Sequence, residues 1–205
     1  MFWNKKKSSK DSSGTVRKLI IITGCAGAGK TTVGKALAKE LGYSYVDKDT
    51  VSREFVDRIL ELKGSSRFDR ESEIYVKEVM PLEYDTTFKL CRELLETGSD
   101  VVVTIPFQYY IKDFDRWLDF KNKARIPQSA EVKFVWIKHE ELTERSNLTS
   151  RNADRDRNKL ADWDNYADSL KGIHPDSRYE AYHYFNDCNI PLGDAIKDLI
   201  VWLNE

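Results

Sequence analysis

The chain has few cysteines, few histidines and no long apolar run, and each shortage excludes a class of protein. Its 205 residues include three cysteines and three histidines, and neither set has metal-ligand spacing. Three scattered cysteines do not suggest a disulfide framework and are typical of a reducing compartment. No apolar run approaches the roughly 18 residues that a membrane helix needs. We therefore expect a soluble, cytoplasmic protein without a membrane span.

The chain also lacks a large net charge. Its 33 Lys and Arg residues against 34 Asp and Glu residues give a net charge of −1, which gives no overall reason to expect nucleic-acid binding. The lysine-rich and serine-rich residues 1–16 are predicted to be a disordered basic tail, without the apolar core of a signal peptide. Residues 17–205 are long enough for one domain.

A glycine-rich stretch after the first predicted strand carries the most specific signal. Leu19–Ile22 form a short β-branched apolar run, and Gly24, four further residues, Gly29, Lys30 and Thr31 match the pattern G-x-x-x-x-G-K-[ST]. A helical pattern begins directly after the match. Backbone N–H groups of such a loop and of the following helix form an anion site. The stretch therefore predicts binding of a nucleoside triphosphate.

Individual loop positions have separate predicted roles. Lys30 would reach the β- and γ-phosphates, and the Thr31 hydroxyl would hold Mg²⁺. Cys25 is interpreted as a small residue that fills the loop, in preference to a reactive thiol. The nucleotide-binding residues are predicted to be Gly24, Cys25, Ala26, Gly27, Ala28, Gly29, Lys30, Thr31 and Thr32.

Two carboxylates follow the second predicted strand, residues 43–46. Asp47 and Asp49 stand at its carboxyl end, where doubly wound sheets bind their ligands, so both should lie near the phosphate loop. A helix is predicted to begin here with Asp49 or Thr50 as its N-cap. Capping explains only one acidic residue, which favours a catalytic role for Asp49. The buried face of this helix is predicted to consist of Val51, Phe55, Ile59 and Leu62.

The phosphate loop and the sequence Asp-x-Asp-Thr-x-x-Arg at 47–53 together resemble P-loop kinases that phosphorylate small molecules and nucleic-acid ends. These include shikimate and gluconate kinases, adenylylsulfate kinase, chloramphenicol phosphotransferase, zeta toxins and polynucleotide 5′-kinase. The resemblance implies ATP, Mg²⁺ and a small-molecule acceptor. It implies that Asp49 handles the proton of the acceptor hydroxyl and that Asp47 helps Thr31 to hold Mg²⁺. Arg53 would bind the acceptor, although it lies one residue later than in some relatives.

The third predicted strand departs from this resemblance. Val101–Ile105 carries Thr104 where many P-loop proteins have an Asp that helps to hold Mg²⁺. Either Asp47 compensates or metal binding is weakened. Residues 107–110, three of them aromatic, could stack on an acceptor ring or pack under a surface helix.

An arginine-rich segment follows the fourth predicted strand, residues 132–137. The resemblance implies a lid at about residues 145–170, and Arg151 and Arg155 are its predicted catalytic arginines. Guanidinium groups can stabilise the charge that develops on a transferring phosphate. A salt-bridged exposed helix is the alternative. Relatives contact adenine near the position of Asn186-Asp187, and residues 159–166 also resemble uncharacterised bacterial AAA-type ATP-binding proteins.

The alternation of strands and helices predicts a three-layer α/β P-loop NTPase fold with a mostly parallel five-stranded sheet and a helical lid. The predicted function is an ATP-dependent kinase that transfers the γ-phosphate to a small-molecule hydroxyl. Two alternatives are a polynucleotide 5′-kinase, which would need a basic channel, and a regulatory ATPase without a small acceptor. No basic, aromatic-interleaved stretch is evident outside the tail and the lid. The acceptor and the oligomeric state are left open.

Overall fold

A parallel five-stranded sheet organises the computed structural model, which describes residues 16–138, 141–186 and 190–205, apart from the side chains at 141, 142, 155 and 185. The strand order is β2-β3-β1-β4-β5, and every neighbouring pair is parallel. The predicted sheet is therefore confirmed. The strands are β1 (Lys18–Gly24), β2 (Ser44–Asp47), β3 (Val101–Thr104), β4 (Glu131–Lys138) and β5 (Ala181–Phe185).

Helices connect consecutive strands and cover both faces of the sheet. They are α1 (Lys30–Leu41), α2 (Lys48–Leu62), α3 (Met80–Glu96), α4 (Gln108–Ile111), α5 (Phe114–Lys123), α6 (Glu141–Arg151), α7 (Arg157–Ala161), α8 (Trp163–Leu170) and α9 (Leu192–Leu203). Within the described ranges, no helix has the length and apolar character needed to cross a membrane. Nearly all of the predicted tail, along with Asp187, lies outside the described residues.

Alternate side chains of β1 enter two separate cores, and this produces the three layers. Leu19 and Ile21 are fully buried with residues of α3, α4 and α5 on one face. Ile20 and Ile22 are fully buried with residues of α1 and α9 on the other. Because both faces are covered, the central strands read as continuous apolar runs. The predicted three-layer arrangement is confirmed.

The predicted buried face of α2 is wrong by about one residue. Val56 and Leu60 are buried together with Ser52, whereas Leu62 is 70% exposed. Val51, Phe55 and Ile59 are only partly buried. The face is rotated because α2 packs its apolar side chains against Tyr75 and Val79 and also buries polar residues. A count of apolar positions cannot identify a face that includes a buried serine and lysine.

The region between α2 and β3 forms a helical insert, which we define as residues 71–96. A π-helical turn, Tyr75–Val79, continues directly into α3, and Pro81 lies in the first turn of that helix. The missing N–H of a proline is tolerated in a first turn. The sequence predicts two helical segments split near Pro81; this is wrong, because the π turn and α3 form one continuous helical run through Pro81.

Candidate active site

The phosphate loop connects the end of β1 to the start of α1. Gly27 and Gly29 have φ angles of 79° and 92°, and Gly24 has φ 147°, values that residues with a Cβ rarely adopt. Gly29 is the N-cap of α1 and provides no side-chain acceptor to the first-turn N–H groups. Those groups can therefore bind an anion. The loop has the backbone geometry that its glycine spacing predicts.

The amine of Lys30 lies within the loop. Its Nζ donates hydrogen bonds to the carbonyl oxygens of Gly24 at 3.0 Å and Cys25 at 2.6 Å. Desolvation lowers the pKa of Lys30 to about 8, against smaller opposing effects of Cys25 and Asp49. Phosphate oxygens at this position would favour the charged amine. Lys30 is thus placed to bind the polyphosphate of a nucleotide.

Thr31 and Asp47 are brought together at the predicted metal position. Asp47 Oδ2 accepts hydrogen bonds from Thr31 at 3.1 Å, Thr104 at 2.9 Å and Tyr45 at 3.1 Å. Mg²⁺ prefers oxygen ligands and commonly uses one carboxylate together with phosphates and water. The donor set therefore fits Mg²⁺. Thr104 contacts Asp47 directly, which supports compensation by Asp47 for the acid that Thr104 replaces.

A metal at this position would depend on its other ligands. Among the residues described, His, Cys, Asp and Glu side chains form no group of three or more that could hold a metal ion. Thr31 and Asp47 provide one hydroxyl and one carboxylate, so phosphate and water oxygens would complete the coordination. The metal is therefore expected to bind together with the nucleotide.

The predicted N-cap of α2 is wrong. Asp47, and neither Asp49 nor Thr50, caps the helix: its Oδ1 accepts a hydrogen bond from Thr50 N at 3.0 Å. The strand ends one residue later than predicted, so the capping position moves to its last residue. Asp49 consequently has no capping role and lies in the first turn of α2.

Asp49 lines the same cleft as the phosphate loop, and its side chain is 33% exposed. Its Oδ1 lies 3.2 Å from Lys48 Nζ, and its Oδ2 lies 3.8 Å from an Arg53 guanidinium nitrogen. A carboxylate near the phosphate site could contact an acceptor hydroxyl there. Arg53 is half exposed and pairs with Asp49, so its binding of the acceptor stays a prediction.

The predicted lid is a set of short helices, α6 to α8. Arg151 lines the cleft, and its Nε and Nη2 donate to Asp156 Oδ2 at 2.8 and 2.5 Å. Arg157 is exposed and pairs with Asp154, as the salt-bridge alternative expected. The side chain of Arg155 lies outside the described residues, so its catalytic role stays a prediction.

Helix α6 packs directly on the phosphate loop, which the sequence analysis did not anticipate. Asn147 Nδ2 donates to Gly27 O at 2.9 Å, and Tyr166 donates to the buried Glu144 at 2.9 Å. A Cβ at Gly27 would lie 3.2 Å from Leu148. Asn147 and Glu144 lie in a polar segment without a recognisable motif, so only the tertiary structure identifies them.

Cys25 lies in the phosphate loop, is partly buried and shares a small pocket with Glu144 of α6. Burial, with a smaller effect of the Glu144 charge, raises the pKa of its thiol to about 11. The thiolate is the nucleophilic form of cysteine. A raised pKa therefore lowers the thiolate fraction of Cys25 at neutral pH, which supports its interpretation as a loop filler.

We expect iodoacetamide to alkylate Cys25 about 10²-fold more slowly at pH 8 than it alkylates glutathione. The reason is the smaller thiolate fraction, and the rate should rise about tenfold per pH unit until the pKa near 11 is reached. Peptide-resolved mass spectrometry would measure the rate. Alkylation at the glutathione rate would contradict the raised pKa.

The cleft at the phosphate loop has a volume of about 940 Å³. Its lining includes Asn186, whose Nδ2 donates to Ala28 O at 3.0 Å and which stands at the predicted adenine position. Tyr75 and Tyr84 of the insert also line it. This volume is sufficient for a nucleotide and a second small molecule.

The aromatic residues after β3 divide between the two predicted roles. Phe107 is fully buried and stacks on Tyr110, with ring centroids 4.8 Å apart, so these two rings pack in the core. Tyr109 is 46% exposed and lines the cleft next to Gln108. The guanidinium carbon of Arg116 lies over the ring of Tyr109, 4.4 Å from the ring centroid. Tyr109 is therefore the aromatic residue of this segment that lines the cleft and can face an acceptor.

The fold and the site define an α/β P-loop protein whose phosphate loop and carboxylates Asp47 and Asp49 line one cleft. A family model described as an AAA domain matches residues 19–173. Because this match covers more than half of the chain, the chain belongs to the AAA domain family.

Relatives with curated descriptions include two shikimate kinases. The chloroplastic shikimate kinase of Solanum lycopersicum is 34% identical over 113 residues, which are 52% of this chain and 35% of that protein. Shikimate kinase 2 of Yersinia pseudotuberculosis is 32% identical over 111 residues, covering 52% of this chain and 59% of the relative. The chain therefore matches less than two thirds of the length of either protein.

Solved structures with a similar fold include a sugar kinase from Janibacter sp. HTCC2649. Its TM-score is 0.58 at 15% sequence identity, and the alignment covers 93% of this chain and 95% of that one. At 15% identity, this similarity shows a shared fold and nothing about activity.

Proposed function

We propose that this protein is a kinase that transfers the γ-phosphate of ATP to a hydroxyl group of a small molecule. The observation that carries the proposal is that Lys30, Thr31, Asp47 and Asp49 line a single cleft. A phosphate site, an oxygen-rich metal position and a further carboxylate are the parts that phosphoryl transfer to a hydroxyl requires. The two shikimate kinase relatives support the reaction class.

Each of these cleft residues has a separate proposed role in phosphoryl transfer. Lys30 and the loop N–H groups would hold the β- and γ-phosphates, and Thr31 with Asp47 would hold Mg²⁺, which neutralises phosphate charge when bound. Asp49 would orient the acceptor hydroxyl and accept its proton. Arg151 would leave Asp156 and contact the transferring phosphate. Residues 17–205 would act as one kinase domain, with helices α6 to α8 as its lid.

Transfer from γ-labelled ATP tests the proposal. The protein would be incubated with Mg²⁺ and separate pools of sugars and sugar acids, shikimate, nucleosides, aminoglycosides and 5′-hydroxyl oligonucleotides. We expect label in one small-molecule pool, and loss of both ATP binding and transfer in a Lys30→Met variant. Label only in the oligonucleotides would favour a polynucleotide kinase. ATP binding without transfer to any pool would favour the regulatory alternative.

A further inference from the structure

We propose that Lys48 is a positioning residue that holds the carboxylate of Asp49, and that Glu83 of the helical insert fixes Lys48 in place. The inference rests on the proposed function, in which Asp49 faces the acceptor hydroxyl. In this proposal the helical insert helps to align the Asp49 carboxylate, in addition to forming part of the pocket wall.

The amine of Lys48 bridges two carboxylates of different exposure. Its Nζ lies 2.9 Å from Glu83 Oε2 and 3.2 Å from Asp49 Oδ1. The side chains of Lys48 and Glu83 are 6% and 2% exposed, whereas that of Asp49 is 33% exposed. The ammonium therefore links a buried carboxylate to one that faces the cleft, and it contacts one oxygen of Asp49.

Glu83 is itself held by two elements. Tyr75 of the π turn donates to Glu83 Oε2 at 2.8 Å, and Ser52 of α2 lies 3.3 Å from Oε1. Ser52 also donates to the carbonyl oxygen of Lys48 at 2.7 Å. Oε2 of Glu83 thus accepts from both Tyr75 and Lys48, while the single hydroxyl proton of Ser52 lies between Lys48 O and the more distant Oε1. These contacts fix the direction in which Lys48 extends.

A purely structural role does not readily account for this cluster. Burying an ion pair carries a large desolvation penalty, and apolar residues of similar volume are often as stable or more stable. Lys48 and Tyr75 also line the cleft, so the cluster reaches the site where an acceptor would bind. Orientation of Asp49 supplies the reason for keeping two charged side chains buried at this position.

The consequence for the reaction is geometric. Contact of Lys48 with Oδ1 restricts the orientation of the Asp49 carboxylate, whose Oδ2 lies 3.8 Å from the half-exposed Arg53. A catalytic group that is displaced by about 1 Å can lose about 10²-fold in rate. Because Tyr75 lines the cleft and donates to Glu83, the alignment of Asp49 depends on residues of the helical insert.

The test removes both charges of the buried pair, because removal of one alone would leave the other buried and unpaired. In the double variant Lys48→Met with Glu83→Met, we expect kcat to fall about 10–10²-fold. The affinity for ATP and the KM for the acceptor should stay within about threefold, since neither depends on the orientation of Asp49. The acceptor used would be the pool member that the wild-type protein phosphorylates fastest.

A matched control pair joins the end of α2 to the π turn that precedes α3. Lys63 follows α2, and its Nζ lies 2.5 Å from Glu78 of the π turn, in a pair that is exposed and does not contact Asp49. The variant Lys63→Met with Glu78→Met should keep kcat within about twofold. If the buried double variant loses its fold, Tyr75→Phe provides a milder test. It deletes one hydroxyl and should lower kcat about 3–10-fold without a comparable change in KM.

Three outcomes would overturn the proposal, and they are distinguishable. If the wild-type protein phosphorylates an acceptor and depends on Asp49, but the folded Lys48/Glu83 variant is as active as the control pair, only the positioning role fails. If Tyr75→Phe raises KM and leaves kcat unchanged, the cluster serves binding instead. A wild-type protein that transfers phosphate to no acceptor removes the proposed function and this inference together.

Discussion

Replacement of Asp49 by Asn is expected to lower the turnover of phosphoryl transfer by about 10²–10⁴-fold while ATP binds as tightly as in the wild-type protein. The amide keeps the size of the side chain but cannot accept the proton of an acceptor hydroxyl. ATP binding should be unaffected because the loop, Lys30 and Thr31 are unchanged. Single-turnover transfer and equilibrium titration with ATP would separate the two effects.

Asp198→Asn provides the control for the Asp49 prediction. Asp198 is an exposed helical carboxylate of α9, so its replacement makes the same chemical change away from the cleft. This variant should keep wild-type turnover. Unchanged turnover in Asp49→Asn, measured on the acceptor that the wild-type protein phosphorylates, would remove Asp49 from the mechanism.

Replacement of Gly24 by Ala is expected to cost about 4 kcal/mol of unfolding free energy, a large part of the 5–15 kcal/mol typical of a domain. Gly24 has φ 147°, a backbone conformation that costs about 1–3 kcal/mol for a residue with a Cβ. An added Cβ would also lie 2.6 Å from the carbonyl oxygen of Ile137 on the paired strand. Relief of that contact requires the backbone to shift, at a further cost of about 1–3 kcal/mol.

Gly64→Ala separates backbone strain from crowding. Gly64 has φ 75°, but a Cβ there would meet no atom within 4 Å. It should therefore cost only about 1–2 kcal/mol. Denaturant unfolding of the two variants would measure the difference. Equal losses in both would show that the approach of β4 to Gly24 adds nothing to the strain.

Much of the fold could be predicted from local pattern. The run Leu19–Ile22 is apolar because both faces of β1 are covered, and Gly42 ends α1 in a left-handed conformation, which is common for a glycine at a helix C-terminus. The face of α2 could not be predicted, since its orientation depends on the partners of Ser52 and Lys48 in the insert. Periodicity records which residues are apolar and gives no information about which polar residues find buried partners.

The candidate site was predictable where chemistry follows from adjacent residues. Lys30, Thr31, Asp47 and Asp49 were identified because a strand, a loop and a helix place them at one edge of a sheet. Asn147 and Glu83 were missed, since each reaches the site from a distant part of the chain. Their roles depend on tertiary contacts, which no spacing rule describes.

The π-helical turn before α3 has a consequence for comparisons between relatives. Its closing hydrogen bond joins Met80 N to Tyr75 O, so this turn contains one residue more than an α-helical turn. Deletion of a single residue, such as Val76, would restore α-helical spacing and rotate Tyr75 by about 100° relative to Glu83. A homologue with one residue fewer here would lose the tyrosine–glutamate contact even if it kept both amino acids. The length of this segment is therefore informative in an alignment beyond the identity of its residues.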